Sequence, residues 1–178
     1  MNSLDNLKSS IIGQFGTPCS VIDLDIVETN IHRAQQICDA AGVANRPHIK
    51  THKSPFLAKM QLKVGASGIT CQKLGEAEVM ADAGIYDILI ATNILGAARS
   101  GRLTKLQKKI PLKVCADNSV SLKEYSKAAQ AANRPLDVLI ECDTGQKRAG
   151  VEKTSEALNL IKSIIEDKWL KFIGLLYY

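Results

Sequence analysis

The stretch Asn45-Arg46-Pro47-His48-Ile49-Lys50-Thr51-His52-Lys53 gathers more reactive side chains than any other part of the chain. If it forms a strand, alternation puts His48, Lys50 and His52 on one face and Ile49 and Thr51 on the other. A lysine between two imidazoles at a strand end has two readings. Its amine is a nucleophile that condenses with a carbonyl carbon, or the strand end simply faces water, since burying an unpaired ammonium is costly. Periodicity alone leaves both open. A second polar cluster, Asp143-Thr144-Gly145-Gln146-Lys147-Arg148-Ala149-Gly150, has the GxxxxG spacing of a phosphate-binding loop. Val151-Glu152 stands where that motif requires Lys-Ser/Thr, so a nucleotide P-loop is excluded.

Other polar residues close apolar runs: Cys71-Gln72, Thr92-Asn93, Asp117-Asn118 and Asp143. Gln72 and Asn93 read either as ligand contacts or as amides capping a loop. Asp23 and Asp25 flank a helix start, where carboxylates cap, and Glu141 and Asp143 share one face of a strand end. Neither pair makes a convincing glycosidase. Cys19, Cys38, Cys71, Cys115 and Cys142 are odd in number, widely spaced and without a CxxC pair, which argues against a disulfide framework and a structural zinc site.

Short β-branched runs alternate with helical stretches along most of the chain. Residues 1–16 read as a lead-in without strong periodicity, and Ser20–Leu24 as a short strand before a helix ending at Gly42. Six further strands begin near residues 48, 68, 87, 112, 136 and 171, with helices near 54–64, 73–84, 97–109, 119–133 and 154–167 between them. This is the order of βαβ units around a parallel sheet. No GxGxxG follows the first strand, and the polar residues sit at the ends of many strands rather than at one switch point. That distribution favours a (β/α)₈ barrel over an open doubly wound sheet. A barrel needs about 250 residues and eight strands. The chain has 178 residues, about six of the strands, and a last run, FIGLLYY, apolar to its end. It reads as an incomplete barrel over 17–178.

Composition narrows the partners. The chain has 23 Lys plus Arg against 18 Asp plus Glu, a formal charge of +5, but the lysines are scattered. With one Trp, four Tyr and three Phe there is little to stack on bases, so nucleic acid is set aside. No membrane span and no secretory signal is apparent, and a reduced cytoplasmic protein is expected.

The motifs together resemble a known family. RPHIKTHK is similar to the cofactor-lysine motif of the D-threonine aldolase, 3-hydroxy-D-aspartate aldolase and D-serine dehydratase family. These are pyridoxal 5′-phosphate (PLP) enzymes with an N-terminal barrel of alanine-racemase type. TPCSVIDLDIVETNI resembles the family's opening, GASGITCQKLGEAEVMADAGIYDILIATNILG its second and third strands, ECDTGQKRAGV its fifth, and GLLYY the start of its sixth. The resemblance implies that Lys50 forms the Schiff base with PLP and that Arg148 approaches the cofactor's phenolic oxygen. It implies that Tyr178 lies beside the pyridine ring and that Gln72 and Asn93 face the cofactor. His52 is expected to assist proton movement or to act through a hydrogen bond behind the site. The implied reaction is cleavage or dehydration of a D-β-hydroxy amino acid in a homodimeric enzyme. The divalent metal and the C-terminal β-domain supplying its ligands are expected in the full-length family and lie outside this chain. A non-catalytic PLP-binding protein and an inactive fragment are the competing readings.

Overall fold

A computed structural model describes residues 3–178. Seven helices and five strands follow in the order α1 (Ser3–Phe15), α2 (Leu24–Ala40), α3 (Pro55–Val64), β1 (Ile69–Cys71), α4 (Leu74–Asp82), β2 (Ile88–Ile90) and α5 (Ala97–Lys109). The remainder are β3 (Leu112–Ala116), α6 (Ser119–Ala132), β4 (Leu136–Cys142), α7 (Thr154–Ile165) and β5 (Leu170–Tyr177). The helix starts are written locally. The Asp23 carboxylate accepts from the N–H groups of Asp25 and Ile26 at 3.0 and 3.2 Å, and Asn118 Oδ1 accepts from Ser121 N at 2.9 Å. Ser54 caps α3, with Pro55 in the first turn, where a missing N–H costs nothing. Asn133 ends α6 in the left-handed region at φ 53°, which asparagine tolerates.

The strands form one sheet in the order β1-β2-β3-β4-β5, every pair parallel. Sequential order means each crossover helix returns on the same side. A doubly wound sheet would instead reverse its order at a switch point. In β4, Leu136, Val138 and Ile140 are buried while Asp137 and Leu139 are half-buried. The first set packs under the helices with Ile69, Ile88, Ile90, Val114 and Ala116, where the core sits. The second set lines the opposite, inner face. At the N-terminal end of that face, Asp87 Oδ1 meets Arg46 Nη1 at 2.6 Å and Lys113 Nζ at 2.7 Å. Gly68 makes room for this, because a Cβ there would lie 2.2 Å from Arg46 Nη1.

Three expectations change. The lead-in contains helix α1; Met1 and Asn2 lie outside the described residues. Ser20–Asp23 forms no strand and pairs with nothing among the described residues, and Leu24 already belongs to α2. The strand expected at His48–Thr51 shrinks to a single parallel bridge, His48 to Thr70. Ile49 N donates to Thr70 O at 2.9 Å, after which Lys53 N turns back to Ile49 O at 2.8 Å. Lys50 therefore opens a turn and does not continue a ladder.

Candidate active site

That turn separates the three residues of the expected strand face. His48 Nδ1 accepts from Lys50 N at 3.3 Å, so the ring proton belongs on Nε2, which faces Gln72 Oε1 at 3.2 Å. Gln72 Nε2 then donates to Ala91 O at 3.4 Å. Burial lowers the His48 pKa, with Lys50 adding to the effect and Gln72 opposing it, in keeping with a neutral ring. His52 turns the other way. Its Nδ1 accepts from Ser54 N at 3.0 Å at the start of α3, and its Nε2 is buried without a partner, as is Gln61 Oε1. Burial lowers its pKa too. Its polar contacts are with α3 and not with Lys50 or Arg148.

Lys50 and Arg148 do come together, on Tyr178. Lys50 Nζ lies 5.9 Å and Arg148 Cζ 5.1 Å from the centre of its ring. Lys50 comes from the turn beside β1, Arg148 from the loop after β4, and Tyr178 from the end of β5. Each cation–π contact is worth about 0.5–1 kcal/mol at an exposed site. The ring thus gathers two cations, neither of which makes a salt bridge among the described residues. An amine nucleophile beside a fixed guanidinium is a donor set that suits an aldehyde carrying a neighbouring phenolate.

The loop bearing Arg148 is tied at several points. Asp143 N donates to Val151 O and Val151 N to Glu141 O, both at 2.9 Å, closing its base. Inside it the Asp143 carboxylate accepts from Gly145 N at 2.9 Å and from Lys147 N, whose N–H groups hold its pKa below the ordinary range. Thr144 Oγ1 donates to the main-chain oxygen of Tyr178. Gly150 N donates to Asp117 Oδ2 at 2.9 Å, tying the loop to the end of β3.

Asp117 is the centre of a network at the strand ends. Its Oδ1 accepts from Asn93 Nδ2 at 2.8 Å and Asn118 Nδ2 at 2.7 Å, and Ser121 Oγ donates to Asn93 Oδ1 at 2.8 Å. Burial alone would raise the Asp117 pKa, but these donors leave it lowered. Both ends of the Asn93 amide are engaged within the protein. Asn93 and Gln72 also line a cleft of about 600 Å³ with Lys53, Lys73, Arg99 and Arg102. Glu141, buried on the inner face, takes a weak bond from Cys115 Sγ at 3.6 Å; burial raises its pKa against the pull of Arg148. Asp117, Glu141 and His48 were not singled out as site residues from sequence. The signal for all three was the same: an ionisable side chain at the inner face of a strand end.

Among the described residues no group of three or more His, Cys, Asp or Glu side chains is placed to hold a metal ion, and no helix is long and apolar enough to cross a membrane. Residues 22–178 match the family model for the alanine racemase N-terminal domain. The chain is 38% identical to D-threonine aldolase of Arthrobacter sp over 167 residues, 94% of this chain and 44% of that protein. It is 35% identical to 3-hydroxy-D-aspartate aldolase of Paracoccus denitrificans over 164 residues, 91% and 42% of the two. Among solved structures, D-threonine aldolase from Filomicrobium marinum superposes with a TM-score of 0.86 at 37% identity, over 89% of this chain and 43% of that one. The chain thus spans less than half the length of these relatives. With sequential parallel strands and a lysine in the turn beside β1, it belongs to the alanine racemase N-terminal domain family.

Proposed function

We propose that this chain is the cofactor-lysine portion of a PLP-dependent lyase acting on D-β-hydroxy amino acids, with Lys50 as the amine that takes the cofactor's aldehyde. The observation that carries the reading is the meeting of Lys50 and Arg148, both without a carboxylate partner, on the ring of Tyr178. Relatives named for D-threonine aldol cleavage, 3-hydroxy-D-aspartate aldol cleavage and D-serine dehydration support the substrate class. When bound, PLP supplies an electron sink for the bond broken at the substrate's α-carbon. The protein's part is positional. Arg148 sets a fixed cation where the cofactor's phenolic oxygen would lie. Tyr178 offers a flat face beside the ring. His48, neutral and held by Gln72, accepts the Lys50 N–H and fixes the turn that presents the amine. Gln72 contributes on the cofactor side through that turn, and Asn93 through its hold on Asp117. His52 is assigned to the support of α3, with any proton role indirect.

Residues 17–178 would then be an incomplete barrel domain. The proposal extends to a cytoplasmic homodimer as the intact enzyme, with metal ligands outside this chain. A second reading rests on the same pair of cations: Lys50 and Arg148 on Tyr178 would hold PLP in a protein that does not turn over substrate. Titration with PLP tests the common step. A visible absorption band should appear, and borohydride should fix a mass increase on the Lys50 peptide. Both should be lost in Lys50→Ala. Wild-type protein without band or label overturns the lysine assignment. Release of aldehyde or ammonia from D-threonine, D-3-hydroxyaspartate or D-serine separates a lyase from a binder.

A further inference from the structure

The loop from Asp143 to Gly150 has internal ties and two external ones, of which Thr144 Oγ1 to the main-chain oxygen of Tyr178 lies on the β5 side and Gly150 N–H on the β3 side. Asp143 shapes its interior, and the two backbone bonds at Val151 close its base. Gly150 N–H reaches outside, to the carboxylate of Asp117 at the end of β3. The other oxygen of that carboxylate is fixed from two directions, by Asn93 after β2 and by Asn118 at the start of α6. Ser121 Oγ in turn holds both asparagine amides, at 2.8 Å to Asn93 and 3.2 Å to Asn118. Asp117 therefore cannot swing without disturbing β2, β3 and α6 together. Gly150 is equally constrained, since a Cβ there would lie 2.5 Å from Asp143 N and 2.6 Å from Cys142 C. Arg148 stands two residues before this anchored glycine.

We infer that Asp117 is a positioning residue for Arg148: by holding Gly150 N–H from the end of β3, it fixes the β4–α7 loop so that the guanidinium reaches the Tyr178 ring that Lys50 also reaches. The inference rests on the reading of Lys50 and Arg148 as the cofactor-facing pair, but its first consequence is measured without cofactor. Removing a charge-assisted hydrogen bond should open the loop by roughly tenfold to a hundredfold.

The test uses the full chain in five forms: wild type, Asp117→Ala, Asp117→Asn, Arg148→Ala, and the double variant Asp117→Ala/Arg148→Ala. Amide exchange over 143–151, before PLP is added, should accelerate by about tenfold or more in Asp117→Ala, with β4 and α7 unchanged. Asp117→Asn keeps the shape and one acceptor, so it should fall between the two. It decides the exchange question if Asp117→Ala does not fold. In the PLP titration, Asp117→Ala should weaken binding by a factor close to that of Arg148→Ala, and the double variant should be no weaker than Arg148→Ala alone. Unchanged exchange at Gly150 in both Asp117 variants overturns the anchor. Effects of Asp117→Ala and Arg148→Ala that multiply in the double variant overturn action through Arg148. Should wild type give no PLP band, the lysine reading fails and the anchor is judged on exchange alone.

Discussion

Replacing Gly150 by alanine measures how tightly the Arg148 loop is built against β4. The residue has φ +99°, where an L side chain is strained by about 1–3 kcal/mol. Its new Cβ would also meet Asp143 N at 2.5 Å, Cys142 C at 2.6 Å and Cys142 Cα at 3.1 Å. These are main-chain atoms that cannot rotate aside, so the end of β4 must give. The bonds at risk are Val151 N to Glu141 O, Asp143 N to Val151 O and Gly150 N to Asp117. Losing two of them adds about 1–4 kcal/mol, for a total of about 2–7 kcal/mol. Gly145→Ala is the internal control. It lies in the same loop at φ +112°, yet nothing stands within 4 Å of its Cβ, so it carries strain without collision. Urea unfolding of both variants, read as midpoint shifts at constant slope, gives the comparison. Gly150→Ala should cost at least about 1 kcal/mol more than Gly145→Ala. Equal losses would refute the close seating of the loop, and with it the fixed place of Arg148.

Tyr125 is wholly buried; its hydroxyl takes the N–H of Ile94 at 3.0 Å and donates to Cys115 O at 2.9 Å. Tyr125→Phe strands both groups, and urea unfolding should record a loss of about 2–4 kcal/mol. Glu141 has a raised pKa from burial, so the folded state binds its proton more tightly than the unfolded chain does. Stability should fall as pH rises from the ordinary glutamate range to the raised value, and Glu141→Gln should remove that slope in unfolding curves taken from pH 4 to pH 8. Cys19 is exposed, whereas Cys71 is buried with its thiol pushed up to about 12 by burial and by Glu76. A thiol reagent on the native chain should therefore label Cys19 first and leave Cys71 and Cys115 until the protein unfolds.

The strands and helices from residue 54 onward were legible because each carries its own apolar period and its own stop. Helix α5 matches the expected 97–109, and β3 and β4 begin where Leu112 and Leu136 open β-branched runs. What failed was local pattern without a local partner. Ser20–Leu24 has strand-like residues, but Val21 and Ile22 stay exposed with no neighbour to pair them, and propensity alone makes no ladder. Helix α1 was missed although Leu7, Ile11 and Phe15 recur at helical spacing. Its serines and Gly13 blurred the signal, and Leu7 and Phe15 remain exposed. At the site, sequence pointed to Lys50 and Arg148 but not to the hydrogen bond from Gly150 to Asp117. That contact joins residues 33 apart and depends on β3 and β4 lying side by side.

The meeting of Lys50 and Tyr178 is itself a measurement of the sheet. Counting the bridge at His48 as a sixth position, five inter-strand steps separate the two ends, about 24 Å if the sheet were flat. Lys50 Nζ is nevertheless 5.9 Å from the ring that follows β5. The sheet must curl strongly enough to bring its first and last positions across a shared mouth. In an eight-stranded closed barrel those positions are only three steps apart the other way round, which is the curvature required. Part of it is built in locally: the register of β4 against β5 shifts between Val138 and Leu139, and irregularities of that kind bend a strand. The lysine and arginine therefore reach the same ring because this chain's sheet is already barrel-curved. Flattening it would separate Lys50 from Arg148 while leaving every strand pair intact, so the site is more sensitive to curvature than to strand pairing.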